Sequence, residues 1–193
     1  AADSGDSGLP PATPASPDPF ARVPKALRPA LERRGFTQLT AVQDAALAAM
    51  GADRDLQITS QTGSGKTVAL GFVMSTQLLA KGPRGRGPST LVIAPTRELA
   101  AQVKEELQWL FAEVRDITLE VVTGGTSIGA ERFRLARKPV VVVGTPGRLL
   151  DHITNGALDV SGVTQLVLDE ADQMLDMGFR DELDGILATM PPE

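Results

Sequence analysis

The sequence contains no cysteine. That excludes disulfide staples and thiolate metal sites, and it fits a reducing compartment such as the cytosol. No uninterrupted apolar stretch reaches the roughly 20 residues that a membrane-spanning helix needs. No basic region followed by an apolar one stands near the start, so no secretory signal is visible. An excess of positive charge is also missing: 24 acidic residues against 19 basic ones leave a net charge of −5. Dedicated nucleic-acid binders are usually basic, so this balance argues mildly against such a role. It does not exclude one, because backbone amides and helix N-termini hold phosphates with little formal charge.

What is there is one domain's worth of chain: 193 residues, 42% of them hydrophobic, enough for a real core. Residues 1–19 are rich in Ala, Asp, Ser, Gly and Pro, with Leu9 the one larger apolar residue before Phe20. They read as a disordered tail. From Phe20 to Glu193 strand-like and helix-like segments alternate. Helices are expected over 40–50, 66–79, 96–112, 128–137, 147–154 and 179–188. Strands are expected over 55–59, 89–94, 117–122, 139–143 and 163–168. Near-continuous Val/Ile/Leu runs between helices predict an α/β fold: a parallel sheet covered on both faces. Ligands in such sheets bind at the C-terminal edge of the strands, where the notable motifs of this chain fall.

Ser60-Gln61-Thr62-Gly63-Ser64-Gly65-Lys66-Thr67 follows the expected strand Asp55–Thr59 and opens a helix. Its glycines let the backbone curl so that successive amides point at phosphate oxygens, and the helix presents its positive end. Lys66 is placed to reach the β- and γ-phosphates, and the Thr67 hydroxyl to ligate magnesium. The general pattern has Gly where Ser60 stands, so the strict match fails by one residue. A plain Gly-rich turn looks similar in isolation, but strand before and helix after favour the phosphate loop. Asp169-Glu170-Ala171-Asp172 ends the apolar run Val163–Leu168. Alone, this cluster could be a solvated helix start. Paired with a phosphate loop, it reads as the carboxylate side of a site for hydrolysing a nucleoside triphosphate.

Four further segments sit at strand ends or ahead of the phosphate loop. In Pro95-Thr96-Arg97-Glu98-Leu99-Ala100, Thr96 is a natural N-cap. Arg97 runs against the helix dipole there, which suggests an ion pair or a phosphate contact. Gly124-Gly125 and Thr145-Pro146-Gly147-Arg148 permit close backbone approach by a ligand, although plain turns use the same residues. Gly35-Phe36-Thr37-Gln38-Leu39-Thr40-Ala41-Val42-Gln43 ends in an amide whose donor and acceptor could read adenine. His152, the single histidine, is expected on a helix surface. Leu107, Trp109 and Leu110 are expected as core or groove contacts. Lys81, Arg84 and Arg86 are expected in a solvated loop.

In this order the motifs resemble the first of the two RecA-like domains of DEAD-box ATP-dependent RNA helicases, over residues 20–193. Gly35–Gln43 is similar to the family's Q motif, Ser60–Thr67 to motif I and Pro95–Ala100 to motif Ia. Gly124-Gly125 resembles the GG motif, Thr145–Arg148 motif Ib, and Asp169–Asp172 motif II. The resemblance implies a RecA-like P-loop fold that binds ATP or ADP with Mg2+. Gln43 would bond adenine, with Phe20 stacked on it and Phe36 within the same motif. Gln61, Thr62, Gly63, Ser64, Gly65, Lys66 and Thr67 would hold the phosphates. Asp169 would hold magnesium partly through water, and Glu170 would orient and deprotonate the attacking water. Asp172 would couple the site to a neighbouring domain. Pro95, Thr96, Arg97, Gly125, Thr145, Gly147 and Arg148 would meet the RNA backbone, independent of sequence.

Two departures stand out within the motifs: Leu39 where the Q motif usually has Pro, and Ser60 where motif I usually has Ala, the latter with little consequence expected. The chain ends before any Ser-Ala-Thr of motif III and before a second RecA-like domain. The expectation is therefore weak nucleotide binding by this chain alone, poor ATP hydrolysis and no unwinding. An exposed sheet edge and a tendency to self-associate are expected for the same reason. The parent protein is expected in the cytoplasm, from a bacterium. A DNA helicase or translocase and an ATP-gated RNA clamp stay open as alternatives.

Overall fold

The computed structural model describes residues 18–51, 55–61, 63–80 and 87–192. The tail read at residues 1–19 falls almost wholly outside the described residues, as do Thr62, Lys81, Arg84 and Arg86. The elements run α1 (Arg28–Arg33), α2 (Ala41–Ala49), α3 (Lys66–Leu78), β1 (Thr90–Ile93), α4 (Arg97–Leu110), β2 (Leu119–Val122), α5 (Ile128–Leu135), β3 (Val141–Gly144), α6 (Pro146–Thr154), β4 (Gln165–Leu168), α7 (Ala171–Asp176) and α8 (Arg180–Leu187).

Local chemistry explains most of the helix starts. Thr40 and Gln43 form a reciprocal capping box at α2: Thr40 Oγ1 accepts from Gln43 N and Gln43 Oε1 accepts from Thr40 N. Thr96 Oγ1 accepts from Leu99 N at 3.2 Å and opens α4. Ser127 caps α5 in the same way, and Pro146 occupies the first turn of α6, where its missing N–H costs nothing. The short helices α1 and α7 were not foreseen. Six residues are too few for a readable period, and what holds each is burial of Ala30 and Leu31 in one and Met174 in the other.

The four strands form one parallel sheet in the order β2-β3-β1-β4. Alternation along each strand splits the core into two halves. Val92, Val141 and Val143 join Phe72, Leu107 and Leu110 on one face. Leu91, Ile93 and Val142 join Leu149, Leu183 and Ile186 on the other. Both faces are therefore covered, as a parallel sheet requires. The contact between α3 and α4 is close enough that a methyl on Gly71 would come within 2.4 Å of Leu110 Cδ2.

The strand expected over Asp55–Thr59 is not part of this sheet; residues 55–61 carry no ladder. A strand exists through its neighbours, and among the described residues this segment pairs with none, although β2 and β4 each keep a free edge. The segment instead lines a cavity of about 580 Å3 against α2, walled by Val42, Ala46, Leu56, Ile58 and Val73. β4 is an edge strand, with Leu168 39% exposed. Among the described residues, no helix is long and apolar enough to cross a membrane.

The register sets Ile93, Val122, Gly144 and Leu168 side by side at the C-terminal end of the sheet. The segments after them, beginning at Ala94, Thr123, Thr145 and Asp169, leave the same edge together.

Candidate functional site

The phosphate loop opens α3 through two glycines in the left-handed region, Gly63 at φ +80° and Gly65 at φ +83°. A methyl on Gly65 would also lie 2.3 Å from Gln43 Nε2. The loop departs from the general pattern at Ser60, and that residue is engaged: Ser64 Oγ donates to Ser60 Oγ at 2.8 Å. Thr67 is half-buried in the first turn of α3, and Gln61 is exposed.

Asp169 N donates to Ile93 O at 2.9 Å, prolonging the β1–β4 ladder by one residue. This tucks the Asp169 side chain to 5% exposure beside the phosphate loop. Lys66 Nζ lies 3.2 Å from Asp169 Oδ1 and also bonds Glu170 Oε1. Burial tends to lower the Lys66 pKa, but the hydrogen bond to Glu170 and the attraction of both carboxylates outweigh it, so the ammonium is held above its ordinary value. Glu170 sits in the left-handed region, at φ 55° and ψ 50°. A β-carbon there is strained by about 1–3 kcal/mol, a conformation kept where surrounding structure imposes it. That turn aims the Glu170 carboxylate back at the loop while Asp172, in the first turn of α7, stays exposed.

The donor set suits a hard divalent cation. Asp169 and Thr67 offer oxygen ligands, and magnesium takes one or two carboxylates and completes its shell with water and phosphate oxygens. Among the described residues, no group of three or more His, Cys, Asp or Glu converges as a metal cage.

Gln43 is 1% exposed. Its Oε1 accepts from Thr40 N at 3.0 Å, and its Nε2 donates to Gly65 O at 3.3 Å. One amide thus ties the start of α2 to the phosphate loop, leaving one hydrogen and one lone pair for other partners. Phe20 lies in the core with Val23 and Leu27, its N–H bonded to Asp18 Oδ1. Phe36 packs on Trp109, ring centroids 5.9 Å apart, and the Arg34 guanidinium covers the same indole. Trp109, Leu107 and Leu110 thus meet the core or a groove as expected.

A second group gathers at the neighbouring strand ends. Arg97 folds over the Gly124-Gly125 turn: a methyl on Gly125, which sits at φ +87°, would come within 2.1 Å of Arg97 Nη1. Pro95 is buried behind Thr96. Thr145 N donates to Val122 O at 3.3 Å, tying the start of α6 to the end of β2. Gly147 has open space where a side chain would be. Arg148 is turned inward, its side chain 12% exposed and its Nη1 3.6 Å from Glu131 Oε2.

His152 corrects the sequence expectation. It is wholly buried, not on a helix surface, with Nε2 2.6 Å from Glu131 Oε2. Glu131 is also wholly buried. Reasoning from sequence missed it, since one Glu among the charged residues of α5 looks solvated. The available signal was that Arg148 and His152, four apart, share one face of α6.

Comparison with known proteins places these arrangements. The family model described as DEAD/DEAH box helicase matches residues 40–193. The chain is 42% identical over 176 residues to a protein of Zea mays called DEAD-box ATP-dependent RNA helicase 3A, chloroplastic, covering 89% of this chain and 23% of that protein. It is 41% identical over 164 residues to the Bacillus subtilis ATP-dependent RNA helicase DbpA, covering 85% of this chain and 33% of that protein. It is 40% identical over 167 residues to the DEAD-box ATP-dependent RNA helicase CshA of the same organism, covering 86% and 33%. The chain therefore spans about a quarter to a third of the length of these curated relatives.

Proposed function

The chain belongs to the DEAD/DEAH box helicase family, and from that premise we propose that it is the nucleotide-binding RecA-like domain of an ATP-dependent RNA helicase. The observation that carries this reading is the meeting of Lys66 with Asp169 and Glu170, which joins a phosphate loop to an acidic pair 104 positions away. Relatives named as ATP-dependent RNA helicases support it.

In this reading the amides of residues 61–65 and Lys66 bind the phosphates of ATP, and Gln43 faces the adenine edge. Asp169 and Thr67 hold Mg2+, which neutralises charge on phosphate oxygens when bound. A triphosphate competes with the two carboxylates for Lys66. Transfer of that ammonium to the phosphates frees the Glu170 carboxylate to orient a water and accept its proton. Asp172, exposed on α7, passes the state of the site to a second RecA-like domain in the longer parent protein. Pro95, Thr96, Arg97, Gly125, Thr145 and Gly147 form the RNA side, with Arg148 behind them. Contacts of this kind reach sugar and phosphate and carry no base specificity.

The test is ATP turnover of the full-length parent with single-stranded RNA, with single-stranded DNA and with neither, Glu170→Gln serving as the inactive control. Stimulation by RNA alone is expected. Equal stimulation by DNA would replace this reading with a DNA translocase, and none by either would replace it with an ATPase serving another partner.

A further inference from the structure

Behind the RNA-side loops lies a buried polar cluster that the ATPase chemistry does not use. Its centre is Glu131 of α5. Oε1 accepts from Thr123 N at 3.0 Å and from Thr126 Oγ1 at 2.5 Å. Those two residues flank Gly124-Gly125. Oε2 lies 2.6 Å from His152 Nε2 and 3.6 Å from Arg148 Nη1, both on α6, which has Thr145 as its N-cap and Gly147 in its first turn. One carboxylate thus holds the β2–α5 turn with one oxygen and one face of α6 with the other, from Arg148 in its first turn to His152 in its last.

The placement is costly unless it is satisfied. A carboxylate at zero exposure is tolerated only with several partners, and here there are four. The arrangement is also incomplete at its rim. His152 Nδ1 and Arg148 Nη1 are buried without a hydrogen-bond partner. His152 is held by its Nε2 bond to Glu131 and Arg148 by its ion pair with the same carboxylate. The Arg97 guanidinium lies close to the same glycine turn.

We infer that Glu131 is a positioning residue that yokes the Gly124-Gly125 turn to helix α6 through His152 and Arg148, so that the turn and the loop leading into α6 present one rigid surface to an RNA backbone. His152 is its second arm. Arg148 serves by anchoring α6 to Glu131 more than by touching phosphate itself. The inference rests on the RNA reading above and adds to it residues that lie wholly out of reach of RNA. Preorganised loops bind better because less ordering is left to do on binding.

The test is a double-mutant cycle in the full-length parent, using Thr126→Ala on one loop and His152→Gln on α6. Affinity for a fluorescein-labelled decauridine is read by anisotropy with a non-hydrolysable ATP analogue present, and affinity for a fluorescent ADP is read beside it. Each single variant is expected to weaken RNA binding by about threefold. The double variant should weaken it by clearly less than the product, since contacting networks couple by about threefold or more. ADP affinity should stay within about twofold, a split that loss of general stability would not produce. Glu131→Gln keeps an acceptor for Thr123 N and Thr126 Oγ1 but drops the charge facing Arg148, so its RNA affinity should fall between wild type and Glu131→Ala. Should Glu131→Ala not fold, the milder cycle still decides. Strictly additive effects, or RNA affinity that moves only in step with ADP affinity, would overturn the yoke while leaving the RNA reading intact. Failure of the unsubstituted protein to bind the decauridine overturns the RNA reading, and this inference with it.

Discussion

Lys66 Nζ stands 3.2 Å from the Asp169 carboxylate and bonds Glu170 as well. The cation that would meet a phosphate and the carboxylates that would meet its counterion thus hold one another. Replacing Lys66 by Ala leaves a nearly buried Asp169 beside Glu170 with no cation between them. Affinity for ADP should fall by at least tenfold, about 1.4 kcal/mol, while far-ultraviolet circular dichroism stays unchanged. Fluorescent-nucleotide titration checks this; unaltered affinity would remove Lys66 from the phosphate site. Because the Lys66 pKa is raised, its ion-pair contribution is complete below the ordinary lysine value of 10.5 and is lost only as pH climbs through the folded value. Lys66 should therefore add no pH dependence to ADP binding between about pH 6 and pH 9.

Gly65→Ala should damage the site by geometry alone. At φ +83° a β-carbon costs about 1–2 kcal/mol, and here it also meets Gln43 Nε2 at 2.3 Å. A melting point lowered by several degrees, together with weakened ADP binding, is the expected result. Calorimetric melting indistinguishable from wild type would contradict the left-handed loop.

Gln43 works as a cap and as a tether. Gln43→Ala should destabilise the domain by about 1 kcal/mol through the lost capping box. If the amide also reads adenine, the preference for ADP over GDP should shrink in the same variant. Stability and base preference are measured separately, by denaturant melts and by competition titration. A variant less stable but fully selective would confine Gln43 to the structural role.

Arg97 lies over the Gly124-Gly125 turn. Arg97→Ala should weaken RNA binding of the full-length parent about threefold to tenfold and lower the slope of log affinity against log salt by about one unit. An unchanged slope would mean that Arg97 meets no phosphate.

Glu131 sets the acid limit of its cluster. Burial pushes its pKa up, but hydrogen bonds from His152, Thr126 and Thr123 N and the charge of Arg148 outweigh that, so the folded value is held below the ordinary 4.5. A depressed carboxyl stabilises the fold above its unfolded pKa and loses that contribution as pH falls through the folded one. Wild type should thus be more stable than Glu131→Gln at about pH 7, with the gap narrowing towards about pH 3. A gap that stays constant on acidification would show that the charge of Glu131 contributes nothing.

Much of this molecule was written locally. Thr40, Thr96 and Pro146 announce helix starts because caps act within three or four residues. Apolar runs such as Leu91–Ile93 and Val141–Val143 announce buried strands because a parallel sheet is covered on both faces. The glycine turn that opens α3 and the acidic pair that ends β4 were legible for the same reason: each is built within one short segment. Whatever depends on a distant partner was not legible. Residues 55–59 look like a strand, but a ladder needs a partner brought alongside in space, and among the described residues none is. His152 looks like an ordinary helix residue until the fold sets Glu131, 21 positions earlier, against it. The inward turn of Arg148 follows from the same carboxylate. Short-range chemistry set the helix caps, the apolar strands and the two segments proposed to form a nucleotide site. Tertiary structure alone decided that Lys66 meets Asp169 and that one buried glutamate joins two loops, because charges find partners by proximity in space and the chain order does not specify it.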